Sequence, residues 1–371
     1  MTALPRRDAL KAIGLFAGGF AAACATRARG VAFVTGPRRF ARVHVRPERV
    51  IRTVAGLRPY RPSGFVVRAE KLDGKLVVHN YGHGGAGVSL SWGSAQLAVE
   101  LAAAGRATRT AVIGCGAVGL ATARLLQRQG REVVLYARDL PPNTTSNVAG
   151  AEWGVFSVAD PARRSAAFGE QLVRAARLSY RMFQDLVGDR YGVRWIDAFD
   201  LAGAERAPRA GDPVSDALGQ LATDSRALRG DEHPFPYPHV RQFVTMLIEP
   251  PVYLEALLAD FRAAGGRLVV RDLPDVRAVV DLPETVVVNC TGLGARALFG
   301  DLELEPAKGQ LSVLVPQPEV DYAVLTDRLL YMFPRRDGIL LGGTFERGNW
   351  DATPDPATAD RLVRGHMELF R

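Results

Sequence analysis

Three stretches hold residues whose types and spacing can do chemistry. The first is Gly114-Cys115-Gly116-Ala117-Val118-Gly119. It follows an apolar run, Thr110 to Ile113, and opens a segment of helical periodicity that reaches about Gln129. Gly130 closes that helix, and Glu132 to Tyr136 reads as a second strand. This order of strand, turn, helix and strand is the pattern that cradles a dinucleotide pyrophosphate. Gly114 permits the tight turn, Gly116 lets the backbone approach the phosphates, and Gly119 lets the helix pack close to the strand. The N–H groups around Ala117 and Val118, at the positive end of the helix, would face the phosphates. An acid is wanted about 20 residues on for the ribose hydroxyls. Asp139, beside Arg138, stands there. The motif by itself does not separate NAD from FAD. Beyond it, Thr144, Thr145, Ser146, Ala149 and Gly150 form a run of hydroxyls and small residues suited to closing over a phosphate.

The second stretch, His79 to Gly87, has four glycines in nine residues and leads into a helix expected from about Val88 to Ala104. The N-terminus of that helix, near Gly87, Val88 and Ser89, can face an anion or a carbonyl. His79 and His83 lie in a turn among glycines and not on one helical face, so the pair is not read as a metal site. His83 is expected to hydrogen-bond within the loop. The third stretch is Gly56-Leu57-Arg58-Pro59-Tyr60-Arg61-Pro62. A planar guanidinium such as that of Arg58 matches a carboxylate with two parallel hydrogen bonds.

The chain that must position these groups has 371 residues, enough for two domains or one large two-lobed enzyme. Its hydrophobic content of 47% is ample for a buried core. The formal charge of +8 comes from arginines scattered among acids, with no basic stripe interleaved with aromatics, so no nucleic-acid partner is expected. Cys24, Cys115 and Cys290 have no metal-like or disulfide spacing. Val50 to Thr53 and Phe65 to Leu72 read as strands separated by a turn over 58–62. Ala162 to Val187 reads as a long amphipathic helix, and 197–238, rich in Pro, Gly and Asp, as loops. Pro251 to Ala264 is an expected helix, followed by strands at Arg267 to Val270 and Thr285 to Asn289. Alternating runs from Leu311 to Thr344 suggest an antiparallel sheet, and Asp360 to Phe370 a last helix.

The first thirty residues stand apart. Arg6 and Arg7 precede a short apolar run, Ala12 to Ala23, and then Cys24. The run is too short to span a bilayer, which takes about 20 apolar residues. The order is that of an export signal of the twin-arginine kind. Cleavage after small residues or lipidation at Cys24 are both open, so the expected location is periplasmic or cell-surface.

Together these stretches resemble the D-amino-acid oxidase family. The motifs are VIGCGAVGL (112–120), NTTSNVAGAEW (143–153), VVVNCTGLGA (286–295), LLGGTFERGNW (340–350), GLRPYRP (56–62) and HNYGHGGAGVSLSWG (79–93). They cover nearly the whole chain after the signal. In the family the fingerprint comes first, and GLRPYRP and HNYGHGG come last. Here that order is reversed, as a circular permutation joined through Gly105 would give. The resemblance implies an α/β fold with a Rossmann-type FAD-binding domain (51–155 and 253–295) and a mixed or antiparallel-sheet substrate domain (38–50, 156–252 and 296–371), after an export signal at 1–30.

It also implies FAD as cofactor and oxidation of a D-amino acid to a 2-oxo acid, ammonia and hydrogen peroxide, with oxygen as acceptor. Residue by residue, Arg58 and Tyr331 would hold the substrate carboxylate, and the Gly85 carbonyl the amine. Gly84, Gly85, Gly87, Val88, Ser89, Thr144 and Thr145 would touch the flavin half, and Leu273 and Thr291 the adenine half. The sequence departs from the family at Asp327, where a second tyrosine is usual, and at Gly154, where a glutamine is found. Glu152 replaces an apolar residue and points to a basic or amine-bearing side chain, whereas Phe345, where acidic-substrate relatives have arginine, argues against D-aspartate, and the substrate side chain stays open. Three rival readings are a glycine or secondary-amine oxidase, a quinone-linked dehydrogenase, and a non-catalytic flavoprotein that binds amino acids.

Overall fold

In the computed structural model the described residues are 40–105, 107–150, 152–205 and 212–371. The expected export signal at 1–30, Cys24 included, lies outside them.

Strands β4 (Arg109–Ile113), β5 (Glu132–Ala137) and β10 (Val286–Asn289) are buried along almost their whole length. Such near-continuous apolar runs belong to parallel strands covered on both faces. They form a six-stranded sheet with β2 (Val66–Leu72), β3 (Lys75–Tyr81) and β9 (Arg267–Val270), in the order β2-β3-β10-β4-β5-β9. Only β2 runs antiparallel to its neighbour. Alternate side chains point to opposite faces. Val78, Val112, Val133 and Val288 pack with helices α1 (Ser91–Ala102), α2 (Ala117–Arg128) and α5 (Pro250–Ala263). Val77, Ala111, Val134 and Val287 pack on the other side with α6 (Val276–Val280) and α7 (Gly294–Phe299). This is the doubly wound layering that binds dinucleotides at the carboxyl ends of its strands.

The second sheet has nine strands. Its order is β1 (Val50–Tyr60), β11 (Glu305–Leu314), β14 (Gly338–Gly342), β13 (Tyr331–Arg335), β12 (Tyr322–Thr326), β6 (Val193–Ala202), β8 (His239–Ile248) and β7 (Thr223–Leu228), with β15 (Glu346–Arg347) beside β11. All its pairs are antiparallel except β12 with β6. Helices α3 (Ala166–Asp185), α4 (Pro213–Gly219) and α8 (Pro356–Leu369) complete the described chain.

Three expectations are corrected. The strand at Val50 continues to Tyr60 instead of turning at Arg58. Pro59 is tolerated there because β1 is an edge strand, where a missing N–H costs no ladder bond. Because β1 pairs with β11 along its length, it belongs to the second sheet and not to the dinucleotide part drawn from 51. The segment 197–238 is not all loop, since it contains the end of β6 and all of α4 and β7.

The passage from α1 into β4 is short and pinned. The Arg131 guanidinium donates to the carbonyls of Ala102 (3.3 Å) and Gly105 (3.2 Å) and to the Thr110 hydroxyl (3.2 Å). The first and last described segments also meet. Arg42 Nε donates to the Phe370 carbonyl at 2.9 Å. Val43, Val45, Leu369 and Phe370 share one apolar cluster.

Candidate active site

The carboxyl ends of β4 and β10 and the loop after β5 open onto a cavity of about 1720 Å³. That exceeds the range of about 300–1,000 Å³ usual for one drug-sized ligand, and suits a cofactor together with a substrate. At one end are Gly114 and Gly116. Gly114 has φ +109°, and a Cβ there would lie 2.4 Å from the Cys290 carbonyl oxygen. Behind it, a Cβ on Gly119 would lie 1.9 Å from the Gly114 carbonyl oxygen. Only glycine at both places lets α2 start this close to β4.

Helix α2 begins without a side-chain cap at Gly116, and the Ala117 N–H donates to Ser146 Oγ at 3.1 Å. Ala117, Val118 and Gly119 themselves stand behind the cavity wall. Thr144, Thr145, Ser146, Ala149 and Gly150 line the cavity from one loop. That loop is held by the Thr144 hydroxyl, which donates to Asn147 Oδ1 at 2.7 Å. Arg138, Asp139, Leu273 and Thr291 line it as well. Asp139 is ion-paired with Arg138 at 2.8 Å. The Thr291 hydroxyl and N–H both donate to Asn289 Oδ1 (2.7 and 3.1 Å). A glycine cradle that one Cβ would fill, set at a helix N-terminus whose N-cap Gly116 offers no side chain, fits a dinucleotide pyrophosphate.

Arg58 stands in the same cavity. Its Nη1 donates to the Thr344 carbonyl at 3.1 Å, and the guanidinium lies 5.7 Å from the Phe345 ring centroid. Across β11, a Cβ on Gly309 would come within 2.3 Å of Arg58 Nη1, so the guanidinium rests on bare backbone. Among the described residues no carboxylate forms an ion pair with Arg58. A half-buried guanidinium of that kind is built to receive an anion. Tyr331 also lines the cavity, stacked on Phe333 with centroids 5.0 Å apart. Gly84, Gly85, Gly87, Val88 and Ser89 line it where the chain turns into α1. There the Gly85 N–H donates to the Ser157 carbonyl at 3.2 Å.

Glu152 is in the wall and buried, with 6% exposure. Its loop is pinned to β8 through a bridge to Leu247 and by the Trp153 N–H, which donates to the Met246 carbonyl at 2.7 Å. Burial pushes the Glu152 carboxyl up to about 8, and the Asp200 charge adds to the rise, against a hydrogen bond with Thr245. A consequence for the apoprotein follows. A carboxyl raised in the folded state leaves stability intact below its ordinary value of 4.5 and lowers it as pH rises toward 8. Glu152→Gln should therefore flatten the fall in apoprotein Tm between these two pH values. An unchanged slope would show that another group causes it.

Asp327, expected in the substrate pocket, is not in the wall. It is exposed just past β12, and its Oδ2 accepts the Gly203 N–H at 2.7 Å, so the side chain is held on the loop after β6. Leu329 and Leu330 reach the cavity instead. His83 is stacked on Phe65 (4.7 Å between centroids), and its Nε2 has no hydrogen-bond partner, contrary to the expected loop bond. Burial pushes its imidazole down to about 3, so it is neutral. Gly154 lines the cavity, and the Phe156 ring fills the place a side chain would take, with Cε2 at 2.1 Å from a Cβ built there. Phe156, Asp200, Arg241 and Phe243 line the cavity without having been expected. Three of these sit on β6 and β8, far in sequence from every motif.

The two sheets and the cavity between glycine cradle and arginine define a dinucleotide-dependent oxidoreductase. The family described as FAD dependent oxidoreductase matches residues 25–101 and 109–371. The chain is 34% identical over 261 residues to the D-amino-acid oxidase of Rubrobacter xylanophilus, covering 69% of this chain and 75% of that protein. It is 33% identical over 268 residues to the D-amino-acid oxidase of Streptomyces coelicolor, covering 68% and 75%. The crystal structure of glycine oxidase from Bacillus cereus matches in fold, with TM-score 0.53 and 16% identity over 70% of this chain and 77% of that one. The chain belongs to this family of FAD-dependent oxidoreductases, and FAD is its cofactor.

Proposed function

We propose that the protein oxidises D-amino acids to 2-oxo acids, with release of ammonia and hydrogen peroxide. The observation that carries this reading is the Arg58 guanidinium, without a carboxylate partner among the described residues and in one cavity with the glycine cradle. The two D-amino-acid oxidases of similar sequence support it. Bound FAD supplies an acceptor for the hydride that leaves the substrate Cα. Arg58 and Tyr331 orient the carboxylate, and the Gly85 carbonyl accepts a hydrogen bond from the amine. His83, two residues from Gly85, is buried against Phe65 and is not in the cavity lining, and burial holds its imidazole down to about 3, too weak a base for the amine proton. The amine then enters deprotonated, and the chain contributes positioning. Water hydrolyses the released imino acid, and oxygen takes the two electrons to give hydrogen peroxide. Loss of the yellow flavin colour on anaerobic mixing with a D-amino acid tests the reading.

A second reading, electron transfer to a quinone, draws on three exposed apolar residues of the cavity wall, Phe156 (50%), Leu329 (61%) and Trp350 (54%). Rapid reoxidation of the reduced flavin in air would exclude it.

We further propose that the chain is a circular permutant of the family. In support, the two family matches break at 102–108, where α1 passes into β4, and residues 40–45 pack against Phe370. A variant opened between 103 and 108, with 371 joined to 40, should keep its flavin. Loss of flavin would argue against the proposal. Export through residues 1–30 is proposed on the Arg6-Arg7 signal alone, and should stop when both arginines become lysine.

A further inference from the structure

The cavity wall carries both an arginine and carboxylates. Arg58 lies over Phe345, so Phe345 is a platform for the guanidinium that awaits the α-carboxylate. It therefore says nothing against or for a given side chain. Another part of the wall is acidic. Asp200 on β6 and Glu152 both line it, with Phe243 and Arg241 of β8. Asp200 has its own cation, since Arg241 Nη2 donates to its Oδ2 at 3.3 Å while the Arg241 guanidinium lies over the Phe243 ring. Glu152 has none. Its neighbours are Thr245, which hydrogen-bonds it, and the like charge of Asp200. Among the described residues no lysine, arginine or histidine pairs with Glu152. A buried carboxyl left this way is costly to the fold, and such groups mark sites that a ligand completes.

We propose that Glu152, backed by Asp200, selects D-amino acids whose side chain ends in an ammonium or guanidinium group. This rests on the oxidase reading above. The arriving cation turns Glu152 into a carboxylate, whose proton leaves to solvent, and closes the ion pair that the fold leaves open. An acidic side chain forms no such pair with Glu152, and Arg241 on the same wall is already held by Asp200. A neutral apolar side chain gains no ion pair from Glu152.

The test compares anaerobic flavin reduction by D-lysine, D-arginine and D-norleucine in the flavin-loaded wild type and in Glu152→Gln. D-norleucine has the four-carbon side chain of D-lysine without the ammonium. The expected wild-type preference is for the two cationic substrates. In Glu152→Gln their kcat/KM should fall about 30-fold or more, as for a buried charge that loses its partner, while D-norleucine changes little. Asp200→Asn is the second variant, and should weaken the same preference without removing it. Flavin content checks that each variant folds. Reduction by D-norleucine as fast as by D-lysine in the wild type would overturn the proposal and leave the oxidase reading standing. An equal fall for all three substrates in Glu152→Gln would overturn it too. No reduction by any D-amino acid overturns both.

Discussion

Replacing Arg58 with alanine should raise the KM for an amino-acid substrate steeply and leave the bound flavin in place. Arg58 hydrogen-bonds the Thr344 carbonyl, lies over Phe345 and packs against Gly309 and Gly85. None of these residues belongs to the cradle of Gly114 and Gly116, so cofactor retention should not change. Losing one partner of a hydrogen-bonded charge pair costs about 2–5 kcal/mol. That corresponds to a loss in kcat/KM of about 30-fold to several thousandfold. Arg58→Lys should fall between the wild type and alanine, because it keeps the charge and loses the planar fork. Steady-state kinetics beside flavin absorbance would check both variants. Wild-type kinetics in Arg58→Ala would remove the residue from the site.

The second large effect is expected at Gly119. Its Cβ would sit 1.9 Å from the Gly114 carbonyl oxygen, a backbone atom that cannot swing aside. Gly119→Ala must therefore push α2 away from β4 and carry the N-terminus of α2 off the pyrophosphate position. Overpacking of this kind costs typically about 1–3 kcal/mol, and here it falls on the cofactor cradle itself. The purified variant should be colourless and melt at a lower temperature. Gly219→Ala, in α4 with nothing within 4 Å of the added carbon, is the control that should stay yellow. A yellow Gly119→Ala of normal Tm would mean that the helix is not packed as described.

What could be read from the sequence was what is local. The turn at Gly114, the helix to Arg128 and the strand at Glu132 announce themselves through spacing over some thirty residues, and the structure places them together. The hydroxyl-rich loop from Thr144 lines the cavity. The strand β6 was missed because its pairing with β8 and β12 is distant in sequence, and β7 and β8 because polar and loop-like residues interrupt them. Asp197 to Leu201 lies beside Tyr322 to Thr326, and the Pro, Gly and Asp around it mimic loop. The same distance hid Asp200, Arg241 and Phe243, which carry no motif of their own. Asp327 misled because standing where the family has a tyrosine says nothing of the Gly203 N–H that holds it outside the cavity. Glu152 was visible as a residue type out of place, but its lack of a cationic partner is a property of the fold.

On the proposed reading the cavity holds FAD at the glycine cradle and a D-amino acid against Arg58. Anaerobic flavin absorbance on mixing the purified yellow protein with a panel of D- and L-amino acids tests this most directly. Bleaching is expected with D-amino acids and none with their L-enantiomers. A flavin that stays oxidised with every D-amino acid, or that bleaches with the L-forms instead, would contradict it.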